Sequence, residues 1–287
     1  MGHMHRKLLP AVWIVALSGC LWAQAPPGPE QAPAPAPAES APASQSEPAP
    51  LLRVEMGGFS NFVNNNYGTW DGFSGRFTYL RGKRFTPSFG FARQRRPNGA
   101  QTTLGIDSYI VGTKWFYMIG GIGGSPEGSA ELFPKLSYGI TGLFSIPHPK
   151  GLVATLAASQ LHGTAGAYGR VLTVGAMYYR GRTIWNANLS FNRTYPGAVP
   201  SKSGGFGVQF GTEKKFWIGG GMGGGRVAYN TVSLTPLDVR SYSFGPNLFL
   251  QKWITNKWGV IVKYGYQDYV DFYQSHGVEA KVFFEVP

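Results

Sequence analysis

The sequence predicts an all-β chain: a single antiparallel up-and-down transmembrane β-barrel of about fourteen strands, with twelve as the alternative count. Three observations predict it. From Leu51 onward, apolar and polar residues alternate with a period of two in about fourteen segments. Each segment runs about ten residues, longer than the ~5–6 of a soluble strand and close to the ~9–11 of a tilted membrane strand. The connections between segments alternate, short then long, as they do in outer-membrane barrels.

Individual segments carry the period plainly. In TIWNANLSFNR, Trp185, Ala187, Leu189 and Phe191 share one parity, and Asn186, Asn188, Ser190 and Asn192 share the other. Trp258, Val260, Val262, Tyr264 and Tyr266 alternate with Gly259, Ile261, Lys263, Gly265 and Gln267. Short connections fall around 81–84, 112–114, 147–151, 180–182, 213–215 and 254–256. Longer ones fall around 63–71, 93–100, 125–134, 195–203 and 225–240. The last segment resembles the terminal strand by which barrels are recognised for insertion. It departs from the usual form, because Val286-Pro287 follows the last aromatic, Phe284.

Composition agrees with strands. Gly 41 and aromatic 15% are high, and charged residues at 14% fall well below the usual ~25%. Mean hydropathy is near neutral at −0.13. Helix bundles, rich in Ala, Leu, Glu and Lys, are excluded. The single cysteine, Cys20, allows no intramolecular disulfide. Beyond the N-terminal segment no apolar run approaches the ~18 residues of a membrane helix, so any crossing is made by strands.

Residues 1–23 read as an export signal peptide. Arg6 and Lys7 precede the apolar run Leu8 to Leu17, which is too short to span a bilayer. Two cleavage readings stay open. Leu17-Ser18-Gly19-Cys20 resembles a lipobox, which makes Cys20 a candidate for lipidation; a plain cut after Ala23 is the alternative. Residues 24–50, QAPPGPEQAPAPAPAESAPASQSEPAP, form a disordered Pro/Ala-rich linker, extended and semi-rigid. It reads as a simple spacer, or as a tether reaching into peptidoglycan. Residues 51–287 form the barrel.

The charges indicate which face meets lipid. Arg53, Glu55, Arg76, Asp107, Lys263, Glu279 and Lys281 fall on the polar parity and are the candidate lumen-facing charges. A charge facing lipid near the midplane costs ~2–4 kcal/mol, and almost none falls on the apolar parity there. Trp115, Trp217, Trp253, Trp258, Tyr79 and Tyr178 collect near strand ends, where aromatic girdles meet the lipid–water interfaces.

The stretch GFSNFVNNNYGTWDGFSGRFTYLRG from Gly57, followed by TTLGIDSYI and GGIGGSPEGSAELFPKLSYGITG, resembles the YaiO family of bacterial outer-membrane β-barrel proteins. The resemblance rests on spaced Gly, Tyr and Phe positions and on the junction Glu131-Leu132-Phe133-Pro134-Lys135. It extends more weakly through the remaining barrel. It implies one barrel in the outer membrane and no established chemistry. The linker and lipobox are not features of that resemblance.

Chemistry has few candidates. His162 and His276 are the rim candidates for a lipid-modifying enzyme. Ser159 and Thr164 lie near the first, and Ser275, Asp268 and Asp271 near the second. Ser275 and His276 are adjacent on a strand and therefore face opposite sides. The glycine run from Gly219 to Gly225 lacks the Lys-Ser/Thr of a phosphate loop. No Cys/His/Asp/Glu group has metal-ligand spacing, so neither metal nor cofactor is expected.

From Leu51 on, the chain carries 24 Lys+Arg against 11 Asp+Glu. The short-turn side is basic, with Arg81, Lys83, Arg84, Lys114, Lys150, Arg180, Arg182, Lys214, Lys215, Lys252 and Lys257. Outer-membrane lipids, with anionic head groups at the inner leaflet, are the plain partner. Peptidoglycan or polysaccharide is the sharper one; barrel-assembly machinery is implied by the fold, and nucleic acid is not expected. The expected location is the outer membrane with both termini periplasmic. The leading expectation is a structural or passive pore, associated with passage of a polysaccharide or small solute. A rim lipid-modifying enzyme and a soluble exported β-sandwich are the alternatives.

Overall fold

The computed structural model describes residues 50–286 except Asn66, Lys83, Asn98, 127–133, 164–167, Pro196, 228–240 and Asp271. The signal segment, Cys20 and the linker up to Ala49 therefore lie outside the described residues. Fourteen strands follow in chain order: β1 (Leu52–Val63), β2 (Gly68–Tyr79), β3 (Phe85–Arg96), β4 (Gly99–Val111), β5 (Phe116–Gly124), β6 (Leu136–Ile146) and β7 (Leu152–His162). The second half comprises β8 (Tyr168–Arg180), β9 (Thr183–Tyr195), β10 (Val199–Thr212), β11 (Phe216–Val227), β12 (Ser241–Trp253), β13 (Trp258–Tyr269) and β14 (Tyr273–Val286). Each pairs antiparallel with its neighbours in sequence, and β1 pairs with β14 from Leu52–Val286 to Val63–Ser275, closing the barrel. The count is fourteen, not twelve.

The faces are inverted relative to a soluble protein. Phe62, Ile106, Leu156, Leu189, Leu248 and Phe284 are exposed, while Glu55, Ser88, Gln94, Gln101, Asp107 and Gln209 are buried. Period-two side chains alternate across the wall. A closed barrel has no free sheet edges, and this one presents its apolar parity outward, as a bilayer requires. The soluble β-sandwich alternative is overturned by that closure and that outward apolar surface.

Two sequence expectations change. The long connections are shorter than expected, because the strands continue past the apolar band. The connections at the end away from the termini span only 64–67, 97–98, 163–167, 196–198 and 270–272, and only 125–135 and 228–240 are long. Left-handed Asn65 and Ala198 and the positive-φ glycines Gly68, Gly99 and Gly197 close these turns tightly. Trp217 and Trp253 also face inward. Trp253 packs with Ile261 and Phe283 against Trp217 inside the barrel, on the parity of Gln251 and Asn247. Trp258, Tyr79 and Tyr178 keep the outward parity.

Aromatic rings cover inward glycines. A Cβ at Gly219 would stand 2.5 Å from the Phe249 ring and 2.7 Å from the Val208 carbonyl oxygen. One at Gly259 would stand 2.5 Å from the Phe283 ring. Such ring-over-glycine pairs fix register in curved sheets. Gly219→Ala should therefore cost about 1–3 kcal/mol, read as a lowered urea midpoint of the barrel refolded in liposomes. An unchanged midpoint would mean that the Phe249 ring moves aside freely.

Candidate functional site

The lumen is the candidate site, and its two halves differ. One wall, from β13 through β14, β1 and β2 to β4, carries the charges. Lys263 and Glu279 are direct cross-strand partners with N–O 3.2 Å, and Lys281 reaches the same carboxylate at 2.5 Å. Lys281 lies opposite Gly57, where a Cβ would collide with the lysine stem. Arg76 donates to both oxygens of Asp107, at 2.7 and 2.9 Å. Those residues sit two strands apart; on the intervening β3, Gly90 stands opposite Arg76 and the small Ser88 opposite Asp107, which leaves the diagonal between them open.

Near the termini, Arg53 donates to Glu55 at 2.7 Å and to Glu285 at 3.2 Å, and Lys214 pairs with Glu285 as well. The Arg53 guanidinium lies 3.9 Å above the Phe283 ring. Stacking and bidentate donation suit the planar Arg fork better than a lysine. All seven charges singled out from sequence are thus turned inward and paired with opposite charge. Glu285 and Lys214 join them; Lys214 reads in the sequence only as one of the basic residues of the short turns, and the parity of Glu285 with Lys281 and Phe283 is the signal that places it inside.

The opposite wall is neutral. One hydrogen-bonding row runs from Asp107 through Gly121, Gly139, Ser159, Val171 and Asn192 to Ser201, strand by strand from β4 to β10. From Gly121 on, these residues and their flanking backbone line a lumenal recess of about 770 Å³. That volume lies within the range of small-molecule sites. On the adjoining row the Thr173 and Ser190 hydroxyls are 2.8 Å apart. The recess therefore offers the Ser159 and Ser201 hydroxyls, the Asn192 amide and peptide groups; Arg170, Arg193 and Lys202 also border it, but on the outward parity of their strands.

Among the described residues, the structure does not bring the two rim histidines together or set either beside the serine near it in sequence. His162 and His276 both carry outward parity and sit on β7 and β14, on opposite sides of the barrel. His162 lies 3.0 Å from Gln160 Nε2 and stacks between Tyr138 and Tyr168. His276 Nδ1 lies 2.9 Å from the Tyr264 hydroxyl. Ser159 and Ser275 point inward, across the wall from the imidazoles. Thr164 and Asp271 lie outside the described residues, and Asp268 bonds Tyr266 and Gln274. Among the described residues, no three His, Cys, Asp or Glu side chains group as metal ligands.

A closed fourteen-strand wall with lipid-compatible outer and polar inner faces defines an outer-membrane β-barrel. The chain belongs to the YaiO membrane beta barrel domain family, matched over residues 53–230. Among solved structures it is similar to a bacterial polysaccharide outer membrane secretin, with 6% identity and TM-score 0.55, over 84% of this chain and 100% of that one. It is also similar to the CymD monoaromatic hydrocarbon channel, with 7% identity and TM-score 0.50, over 83% and 89%. An anion-selective porin from Comamonas acidovorans aligns with 10% identity and TM-score 0.46, over 81% and 98%. These likenesses are of fold. No curated protein matches the chain.

Proposed function

We propose that the protein is a passive, weakly ion-selective outer-membrane pore for small, neutral, hydroxyl-rich solutes such as sugars and short oligosaccharides, with both termini in the periplasm. The observation that carries the reading is the recess along Gly139, Ser159, Asn192 and Ser201, whose inward-parity residues are all uncharged. Amide and hydroxyl groups exchange hydrogen bonds with sugar hydroxyls, and glycines leave room for the ring. The lumenal charges largely offset one another: Arg53 and Lys214 meet Glu55 and Glu285, Arg76 meets Asp107, and only the cluster of Lys263 and Lys281 on Glu279 keeps one positive charge in excess, so the wall presents a modest field to a passing ion. The basic short turns suit the anionic inner leaflet and support the orientation.

The test is liposome swelling in isotonic glucose and in a disaccharide, alongside planar-bilayer recordings. The expected result is swelling in both sugars, with a cation-to-anion permeability ratio within about threefold of unity, set by the paired charges. Ser159→Trp, which fills the recess from β7, should slow sugar entry at least several-fold while the barrel still folds. A folded wild-type barrel that neither swells liposomes nor conducts would overturn the reading, as would strong ion selectivity.

A further inference from the structure

The outer surface near the far rim carries a row of cations, on the strands whose inward residues line the recess. Arg170, Arg193, Lys202 and Arg226 stand on four consecutive strands, β8 to β11, all with outward parity and all exposed. Arg170 and Arg193 are direct cross-strand partners. Pro200 stands opposite Arg193, which places Lys202 on the diagonal. The ladder pair Ser203–Gly225 places Arg226 one step further along, beside Lys202. Among the described residues, none of the four forms an ion pair.

Their depth is the informative part. Tyr168 and Tyr195 stack at 4.2 Å and, with His162 and Tyr138, form an aromatic belt on this side. Arg170 and Arg193 lie two residues deeper along their strands than this stacked pair. Val174 is the middle residue of β8, so Arg170 starts roughly 10 Å from the midplane at ordinary strand rise and tilt. The apolar band is ~25 Å tall, so this is its outer edge. Cations rooted there extend their stems along lipid and carry their charge up to the head-group level. Arg170 lies 5.5 Å above the Tyr168 ring, and Lys202 lies 5.7 Å from Phe191.

The geometry points to a docking site for a phosphorylated glycolipid of the outer leaflet, its phosphate groups held by Arg170, Arg193 and Lys202 and its acyl chains lying on Leu172, Leu189 and Phe206. Arginine forks bind phosphate oxygens in pairs, and several cations in a row suit a head group with more than one phosphate. The site rests on the orientation proposed above, which puts this rim at the cell surface. It does not rest on conduction.

The test uses the full barrel in neutral detergent, with native mass spectrometry reading bound lipid. The probes are bisphosphorylated lipid A, the same lipid after dephosphorylation, phosphatidylglycerol and inorganic phosphate. The expected result is at least tenfold preference for bisphosphorylated lipid A over its dephosphorylated form, with no competition from millimolar inorganic phosphate. R170A/R193A/K202A should lose that preference. R170K/R193K should keep part of it, and R95A on β3 should leave it unchanged. Heat-dependent gel mobility confirms that each variant is folded; if the triple variant is not, the R170A and R193A single variants, each expected to lower the preference several-fold, replace it. Equal binding of both forms of lipid A, or an unaffected folded triple variant, would overturn the site. Equal binding of phosphatidylglycerol would overturn the choice of glycolipid, and competition by inorganic phosphate would reduce the site to one for free phosphate. A barrel that fails to pass sugars yet shows the lipid preference would overturn the pore and leave this site standing.

Discussion

Leu189→Arg should largely prevent assembly, while Asn188→Arg should be tolerated. Leu189 lies mid-strand on β9, 44% exposed on the outward surface between Val174 and Gly204. A cation there meets hydrocarbon and costs ~2–4 kcal/mol near the midplane. Asn188 points the other way. Its lumenal neighbours across the ladder are Gly175 and Gly205, so a longer side chain gains room and water. The two sites are adjacent, so strand propensity and position along the chain are matched. The measurement is the fraction of heat-modifiable, protease-resistant protein in the membrane. Equal yields for the two variants would reverse the assignment of the faces.

Arg53→Met should cost about 3–5 kcal/mol of barrel stability, because it leaves Glu55 and Glu285 buried side by side without their shared cation. Lys214 still reaches Glu285, but from a half-exposed position and not to Glu55. Adding Glu55→Gln and Glu285→Gln to Arg53→Met should recover a large part of the loss. The surface pair Arg95–Asp71 is the contrast: Arg95 is 74% exposed, and Arg95→Met should cost at most about 1 kcal/mol. Urea titration in liposomes, followed by tryptophan emission, reads all of these. Arg53→Met matching Arg95→Met would show that water reaches the Arg53 cluster freely.

Most of the wall is legible in the sequence. Period-two alternation is local, so it places Leu189 outside and Asn188 inside without any knowledge of neighbours. What crosses strands is harder. Arg76 reaches Asp107 over a glycine of the strand between, and that contact depends on register, which is set by turns and closure. Trp217 and Trp253 read as girdle residues because a tryptophan near a strand end suits either face. Their parity with Gly219 and Gln251 is a better guide than their distance from the end. The turns at 64–67 and 97–98 read as longer in the sequence, because polar residues beyond the apolar band still pair as strand. The outward cations carry no local signal, because each is single on its own strand. Only the ladder brings Arg170, Arg193 and Lys202 into one row.

Chain closure has a consequence for how the barrel forms. The bond between Arg53 and Glu285 joins residues 232 positions apart, while most other pairings link strands separated by a short turn. Bringing ends that far apart together costs roughly 5 kcal/mol of chain entropy at the scale of (3/2)RT ln n. Every hairpin from β1–β2 to β13–β14 escapes most of that cost, so zipping proceeds locally and the seam comes last. Until then Glu285 lacks its arginine and both edge strands lack partners. The Arg53–Glu285–Lys214 cluster thus works as a clasp that fastens only on a finished cylinder, and loosening it should be felt first as slow or failed insertion.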